Sequence, residues 1–432
     1  MGEGVLAYAA FARADGGALA CEGVLLDDIA ERVGTPAYVY SAAAIRAQYG
    51  KLAHALAGVP HRIHYSVKAN SSLAVLGLLR ELGAGVDIVS GGELHRALAA
   101  GFSGADVVFS GVGKTEREIA EALAAGVRFL NVESEAELRA IDRVAAGLGV
   151  RAPVALRVNP EVEVDTPHPY TRTGERGNKF GIEFAEAVSV AHLALRMEHV
   201  RLVGFDMHIG SQVSSVEPYL HGLGRLLELV RRMRAAGAAE LTVLDLGGGF
   251  AVTYESEIES DLRGFAELLR PAVEEWGLDV VLEPGRYLVG NAGALVTRVL
   301  YRKRSGGKEF VITDAGMTEL LRPSHYNAFH RIEPVAASAD ARGSVVADVV
   351  GPVCETGDFL ALDREIADVE AGALLAVHSA GAYGYAMSSN YNSRPRPAEV
   401  LVDGDRFAVI TERETYDDLV RREHPTPTWR TA

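Results

Sequence analysis

From about residue 37 onward, short β-branched runs alternate with alanine- and leucine-rich stretches whose apolar positions recur at helical spacing. Near-continuous apolar strands are buried on both faces, and their alternation with helices is the pattern of βα units around a parallel sheet. Eight such runs can be counted: IHYSV (63–67), GVDIV (85–89), DVVFS (106–110), RFLNV (128–132), PVALRV (153–158), LVGFDMHI (202–209), TVLDL (242–246) and DVVLE (279–283). Seven are followed by a plausible helix, and 115–125, 134–148, 216–236 and 259–275 carry the amphipathic spacing of an outer ring. The expected fold class is α/β, with a (β/α)8 barrel over residues 36–285.

After Glu283 the texture changes. ALVTRVLYRK, EFVITDAG, SVVADVVG and AEVLVDGDRFAVI, broken by Gly, Asp and Pro, read as antiparallel strands of a second, all-β domain over 286–432. Residues 1–35 carry one short helix signal within GVLLDDIAERVGTPAYVY and are expected to pack with that β domain. No fixed-period repeat is found beyond the βα alternation.

Composition narrows the function classes. Lys plus Arg number 43 against 58 for Asp plus Glu, a net charge of −15, which repels phosphate backbones and anionic lipid; neither nucleic acid nor a membrane is an expected partner. The chain has no long uninterrupted apolar run, and MGEGVLAYAAFARADGG lacks a basic stretch followed by an apolar core, so a cytoplasmic protein is expected. The cysteines are Cys21 and Cys354, too few for a disulfide framework and without a CxxC pair, so no metal site is expected.

Chemistry in such barrels sits at the C-terminal ends of the strands. There the sequence places Lys68 and Asn70 after strand one, Asp87 and Ser90 at strand two, and Arg157 and Asn159 at strand five. His208 and Ser211 follow strand six, Gly247-Gly248-Gly249 strand seven, and Glu283-Pro284-Gly285-Arg286 strand eight. An amine at the end of an apolar strand is desolvated, which lowers its pKa and frees a lone pair for a Schiff base; taken alone, Lys68 reads equally as a lysine snorkelling to solvent. The glycine triplet offers bare N–H groups to an anion such as phosphate, or forms a tight turn. Glu283, in an apolar strand, needs a partner, which could be a pyridinium nitrogen or a neighbouring arginine. His208 could lie flat on an aromatic ring or be a satisfied core histidine, and Ser211 could reach a phosphate.

Together HYSVKAN, GVDIVSGGEL, NKFGI, FDMHIGSQ, DLGGGF, EPGRYLV, GPVCETGD and GAYGYAMSSNYNSRPRP, in order from about residue 60 to 397, resemble the diaminopimelate decarboxylases, within the fold-type III pyridoxal-phosphate enzymes. The resemblance implies an alanine-racemase-like barrel followed by a β domain, and pyridoxal 5'-phosphate as cofactor. It implies Lys68 as the cofactor-bearing lysine and His208 as the ring-stacking residue. Asp87, Ser211, Gly248, Gly249, Glu283, Pro284, Gly285, Arg286 and Tyr391 complete the implied cofactor site. It further implies a homodimer with shared active sites, in which Cys354 and Glu355 serve the partner's site and Cys354 donates a proton to carbon. For the substrate, meso-2,6-diaminopimelate, the resemblance assigns the distal amino-acid centre to Arg286, Arg322, Tyr326, Glu355 and Tyr391. The chain reads Cys354-Glu355-Thr356-Gly357-Asp358 where the family has Cys-Glu-Ser-Gly-Asp. The implied reaction releases L-lysine and carbon dioxide as the last step of lysine biosynthesis; the alternatives are a lysine, ornithine or arginine decarboxylase on the same fold, or a non-catalytic cofactor-binding protein.

Overall fold

The computed structural model describes residues 10–162, 168, 174, 177–336 and 343–431. It divides into two compact units, one of 42–292 with 381–386, the other of 10–41, 293–380 and 387–431.

The first unit is a closed barrel of eight parallel strands: β1 (His61–Ser66), β2 (Gly85–Ile88), β3 (Val107–Phe109), β4 (Phe129–Val132), β5 (Ala152–Asn159), β6 (Val200–Asp206), β7 (Val243–Asp245) and β8 (Asp279–Leu282). Each pairs in parallel with the next, and β8 closes on β1 through Val280↔His61 and Leu282↔Ile63. All eight runs read from the sequence are strands, and the four helices expected over 115–125, 134–148, 216–236 and 259–275 are Glu116–Ala125, Glu135–Leu148, Glu217–Ala235 and Leu262–Trp276. Local chemistry sets their ends. Thr115 accepts from Glu118 N in a capping box, Ser134 accepts from Glu137 N, and both of these helices stop at glycines in the left-handed region, Gly126 (φ +71°) and Gly149 (φ +67°). Val108, Phe129, Ala155, Val203, Val243 and Val281 form one buried cluster contributed by six of the strands. The barrel is therefore filled, and its polar groups collect at the strand ends.

The second unit is built on a sheet ordered Phe359–Ala367, Ser344–Val350, Lys308–Thr313, Gly293–Ser305, Ala37–Ser41, Ala398–Asp403, Arg406–Thr411. Here the expectation of an antiparallel domain is corrected: the sheet is mixed. Lys308–Thr313 runs parallel to Ser344–Val350, and Ala37–Ser41 runs parallel to Ala398–Asp403. Alternation of apolar and polar positions reports a half-buried strand but not the direction of its neighbour, which depends on the crossing of the connection. Its core includes Leu19, Ile29, Val39, Val296, Val335 and Val400.

The unit divisions at 41/42 and 292/293 differ from the boundaries expected at 35/36 and 285/286. Ala37–Ser41 is a fully buried strand held on both sides within the second unit, and the short helix Arg286–Val289 belongs to the barrel. Residues 1–9 of the N-terminal segment lie outside the described residues. No helix among the described residues is long and apolar enough to cross a membrane.

Removing the ring at the centre of the barrel tests this packing. Phe129→Ala should cost about 3–5 kcal/mol, seen as a lowered urea midpoint of the helical signal, whereas the exposed Leu98→Ala should shift stability by no more than about 0.5 kcal/mol.

Candidate active site

β1 ends at Ser66 and passes into a single turn, Val67–Ala69, that carries Lys68 at the barrel mouth. The turn is anchored on every side. Tyr65 Oη donates to Asn70 O (2.9 Å), Tyr383 N donates to Ala69 O (2.8 Å), and Ser66 N donates to Pro284 O (3.2 Å). A side chain at position 285 would meet Ser66 Cβ at 3.0 Å and Ala69 Cβ at 3.1 Å, so Gly285 is what lets the strand-eight turn approach the lysine turn.

Lys68 Nζ donates to Asp87 Oδ2 at 2.9 Å; the Asp87 side chain is fully buried and that of Lys68 is 35% exposed. Ser66 Oγ lies 2.9 Å from both Asp87 Oδ2 and Glu283 O, and its single hydrogen serves one of them. The expectation that desolvation lowers the Lys68 pKa is corrected. Burial does pull it down, but Asp87, Tyr383 and Glu283 together overcome that pull and raise it, so the amine of the chain by itself is an ammonium.

Below the lysine lies a layer of buried acids. Oxygens of Asp206, Asp245 and Glu283 fall within 4.8 Å of one another. Glu283 Oε1 accepts from Ser110 Oγ (3.2 Å) and Asn131 Nδ2 (3.3 Å), and the same amide reaches Asp245 Oδ2 (3.3 Å). Three carboxylates this close cannot all ionise. Burial, then the Asp87 charge, pushes Glu283 up to about 7 against the opposing pull of Lys68 and Arg157. Burial and Glu283 likewise push Asp206 and Asp245 up. Arg157 is the nearby cation: its Nη1 donates to Glu133 Oε1 at 2.7 Å, its Nε lies 3.8 Å from Asp206 Oδ2, and Phe180 stacks on its guanidinium at 5.0 Å. His208, half-buried beside this layer, is held well below its ordinary pKa by burial and by the Arg157 and Lys68 charges, and so is neutral.

The third component is the turn after β7. Gly247 and Gly249 take φ of +64° and +96°, and side chains at 248 and 249 would lie 2.3 Å from Glu283 O and 2.4 Å from Gly210 O. Gly248 O and Gly249 O accept from Tyr219 Oη and Val213 N, both at 2.8 Å, while the N–H groups of these two glycines make no hydrogen bond among the described residues. Arg286 stands alongside, its Nη1 donating to Tyr254 Oη (2.8 Å) and its Nη2 to Ser211 Oγ (3.2 Å), with Tyr383 beneath its guanidinium at 4.9 Å. Free donors, a cation and a hydroxyl together suit a phosphate.

The remaining expected residues lie in the second unit. Arg322 and Tyr326 begin and end one short helix, Arg322 buried and donating from Nη1 toward His330 Nε2 at 3.0 Å. Cys354 and Glu355 are exposed at the tip of a loop that Asp358 ties down: its carboxylate accepts from Val353 N (2.6 Å) and Met317 N (2.7 Å). Side chains at 316 or 351 would meet Asp358 Oδ1 at 2.1 or 2.5 Å, which accounts for the Gly and Asp of GPVCETGD. Tyr391, 47% exposed, bonds the Glu355 side chain, whose negative charge raises the phenol pKa. Cys21, by contrast, is a buried thiol pushed up by desolvation.

Sequence reasoning missed Asp206, Asp245, Asn131 and Arg157 as a connected layer. Their signal was present: each is a polar residue inside a strand otherwise apolar on both faces, where burial without a partner is expensive.

Residues 42–290 match the family model described as pyridoxal-dependent decarboxylase, pyridoxal binding domain. The chain is 51% identical over 409 residues to a diaminopimelate decarboxylase from Pseudomonas aeruginosa, covering 95% of this chain and 97% of that one. Among solved structures, the diaminopimelate decarboxylase from Helicobacter pylori complexed with L-lysine superposes with a TM-score of 0.88 at 39% identity, over 92% of this chain and 98% of that one. The enzyme of the same name from M. jannaschii, also in complex with L-lysine, gives 0.90 at 34% identity, over 98% and 99%.

The raised Glu283 pKa has a measurable consequence. A carboxyl that holds its proton more tightly when folded contributes stability that is fully present below the unfolded pKa near 4.5 and is lost as pH rises through about 7. Glu283→Gln stays neutral throughout, so in cofactor-free protein its melting temperature should gain on wild type progressively between pH ~5 and ~8. A constant offset across that range would contradict the raised value.

Proposed function

From the premise that the chain belongs to the pyridoxal-dependent decarboxylases and, within them, to the diaminopimelate decarboxylases, we propose that it converts meso-2,6-diaminopimelate to L-lysine and carbon dioxide with pyridoxal 5'-phosphate as cofactor. The observation that carries this reading is the convergence of Lys68, Glu283 and the Gly248-Gly249 turn at one barrel mouth. These groups fit the cofactor: a primary amine for its aldehyde, a carboxyl for its ring nitrogen, unpaired backbone donors with Ser211 and Arg286 for its phosphate. When bound, pyridoxal phosphate supplies an aldehyde that takes up an amine and a pyridinium ring that withdraws the electron pair left by departing carbon dioxide.

The chain's residues do the rest. Lys68 holds the cofactor, with Asp87 fixing its amine. Glu283, linked through Asn131 to Asp245, would keep a proton at the ring nitrogen, and His208, being neutral, would border the ring without adding charge. Pro284 and Gly285 keep the strand-eight turn against the lysine turn. Arg322, Tyr326 and Arg286 take the distal carboxylate, and Glu355 takes the distal ammonium. Cys354 delivers a proton to the carbon that lost carbon dioxide, and Tyr391, bonded to Glu355, orients that acid and borders the cofactor. The Thr356 hydroxyl stands exposed beside them.

The same reading makes the enzyme a homodimer with shared sites. Support comes from the loop itself: Asp358 holds it rigidly, yet Cys354 and Glu355 are exposed at its tip, as groups offered to another surface are. A cytoplasmic location belongs to the same proposal, favoured by two free cysteines and no disulfide.

Mixing two inactive variants tests the shared site. Lys68→Ala and Cys354→Ala each remove an essential group, but in a mixed dimer one of the two sites keeps both. Random re-pairing of equal amounts should recover about a quarter of wild-type carbon dioxide release. No recovery, with mixed dimers verified, would contradict a site shared between subunits.

A further inference from the structure

Arg322 and His330 are 7% and 0% exposed, and Arg322 Nη1 lies 3.0 Å from His330 Nε2. A guanidinium only donates, so Nε2 must be the acceptor. The other ring nitrogen, Nδ1, lies 2.8 Å from His378 O, which only accepts, so Nδ1 carries the hydrogen. These two bonds select one neutral tautomer.

The carbonyl that makes this selection is itself immobilised. His378 follows the strand Leu374–Val377, which pairs with Ile332–Pro334, and His378 N donates to Arg331 O at 2.9 Å. The His378 ring lies 2.7 Å from Glu333 Oε1 through Nε2, and Phe11 packs edge-on against it at 5.6 Å. On the other side Arg364 Nη1 donates to His330 O at 3.1 Å. The imidazole is thus fixed in place, orientation and tautomer.

We infer that His330 is a positioning residue: it sets the plane in which the Arg322 guanidinium meets the substrate's distal carboxylate, and it thereby governs affinity for ligands carrying that group rather than the chemical step. This rests on the reading of Arg322 as the distal-carboxylate cation. A short helix of five residues gives Arg322 a weak scaffold, and one bond from a buried ring replaces the stiffness the helix lacks. A hydrogen bond to a charged group is worth roughly 10- to 100-fold in binding when it is lost.

The holoenzyme separates the two ideas. L-Lysine, the product, keeps the distal carboxylate, whereas cadaverine has none. His330→Leu should raise KM for meso-diaminopimelate and the inhibition constant of L-lysine by ~10- to 100-fold, leaving kcat within ~3-fold and cadaverine inhibition within ~2-fold. His330→Gln, which retains an acceptor, should recover much of the L-lysine affinity. His330→Ala serves if the leucine variant fails to fold, and unchanged cadaverine inhibition certifies the barrel site in either. Equal weakening of L-lysine and cadaverine, or a fall in kcat at constant KM, would overturn the inference. Arg322→Ala decides the reading beneath it: no discrimination between L-lysine and cadaverine there would remove the distal role of Arg322. Discrimination by Arg322→Ala without any by the His330 variants would remove only the role of His330.

Discussion

The Lys68–Asp87 ion pair depends on one constraint, the parallel register of β1 and β2. Ser66 is the register partner of Asp87, so the lysine two residues past Ser66 comes back over the carboxylate once the chain turns. A slip of one residue would send the Asp87 side chain to the opposite face and leave Lys68 with no counter-charge. Closure of β8 on β1 then brings Glu283 beside the same pair, with Ser66 touching both. The charges do not hold the barrel together. Its apolar filling does, and the closed barrel is what makes a partly exposed ammonium and several buried acids tolerable at one mouth.

That arrangement explains why the acids hold their protons more tightly than usual. Asp206, Asp245 and Glu283 face one nearby guanidinium, already committed to Glu133, so burial drives them toward neutrality. A cationic ring nitrogen brought next to Glu283 supplies the missing positive charge and pulls its pKa back down. On the proposed reading of Glu283, the electrostatics of the site are completed by its cofactor.

Much of this was legible in the sequence because the signals are local. The eight strands announce themselves as apolar runs, the helices by caps such as Thr115 with Glu118, and the site by polar residues at strand ends. What was not legible is set by long-range geometry. Alternation along Lys308–Thr313 carries no record of a parallel neighbour, so the second unit was expected to be antiparallel and is mixed. The Lys68 pKa depends on where Asp87 lands, and the direction expected from desolvation alone was reversed. Nothing in the sequence singled out His330; the role inferred for it rests on two hydrogen bonds, one to a carbonyl 48 residues away.

The central claim is the proposal that the protein removes carbon dioxide from one amino-acid centre while Arg286 and Arg322 demand a carboxylate at the far end of the substrate. Carbon dioxide release from meso-diaminopimelate, L-lysine, L-ornithine and L-arginine, measured in parallel on the holoenzyme, tests it most directly. Release from meso-diaminopimelate with little or none from the other three is the predicted result. Preference for any of the other three would contradict the substrate assignment, because each, bound with its α-amino-acid centre at the barrel site for decarboxylation, has no carboxylate left at its far end for the proposed role of Arg322.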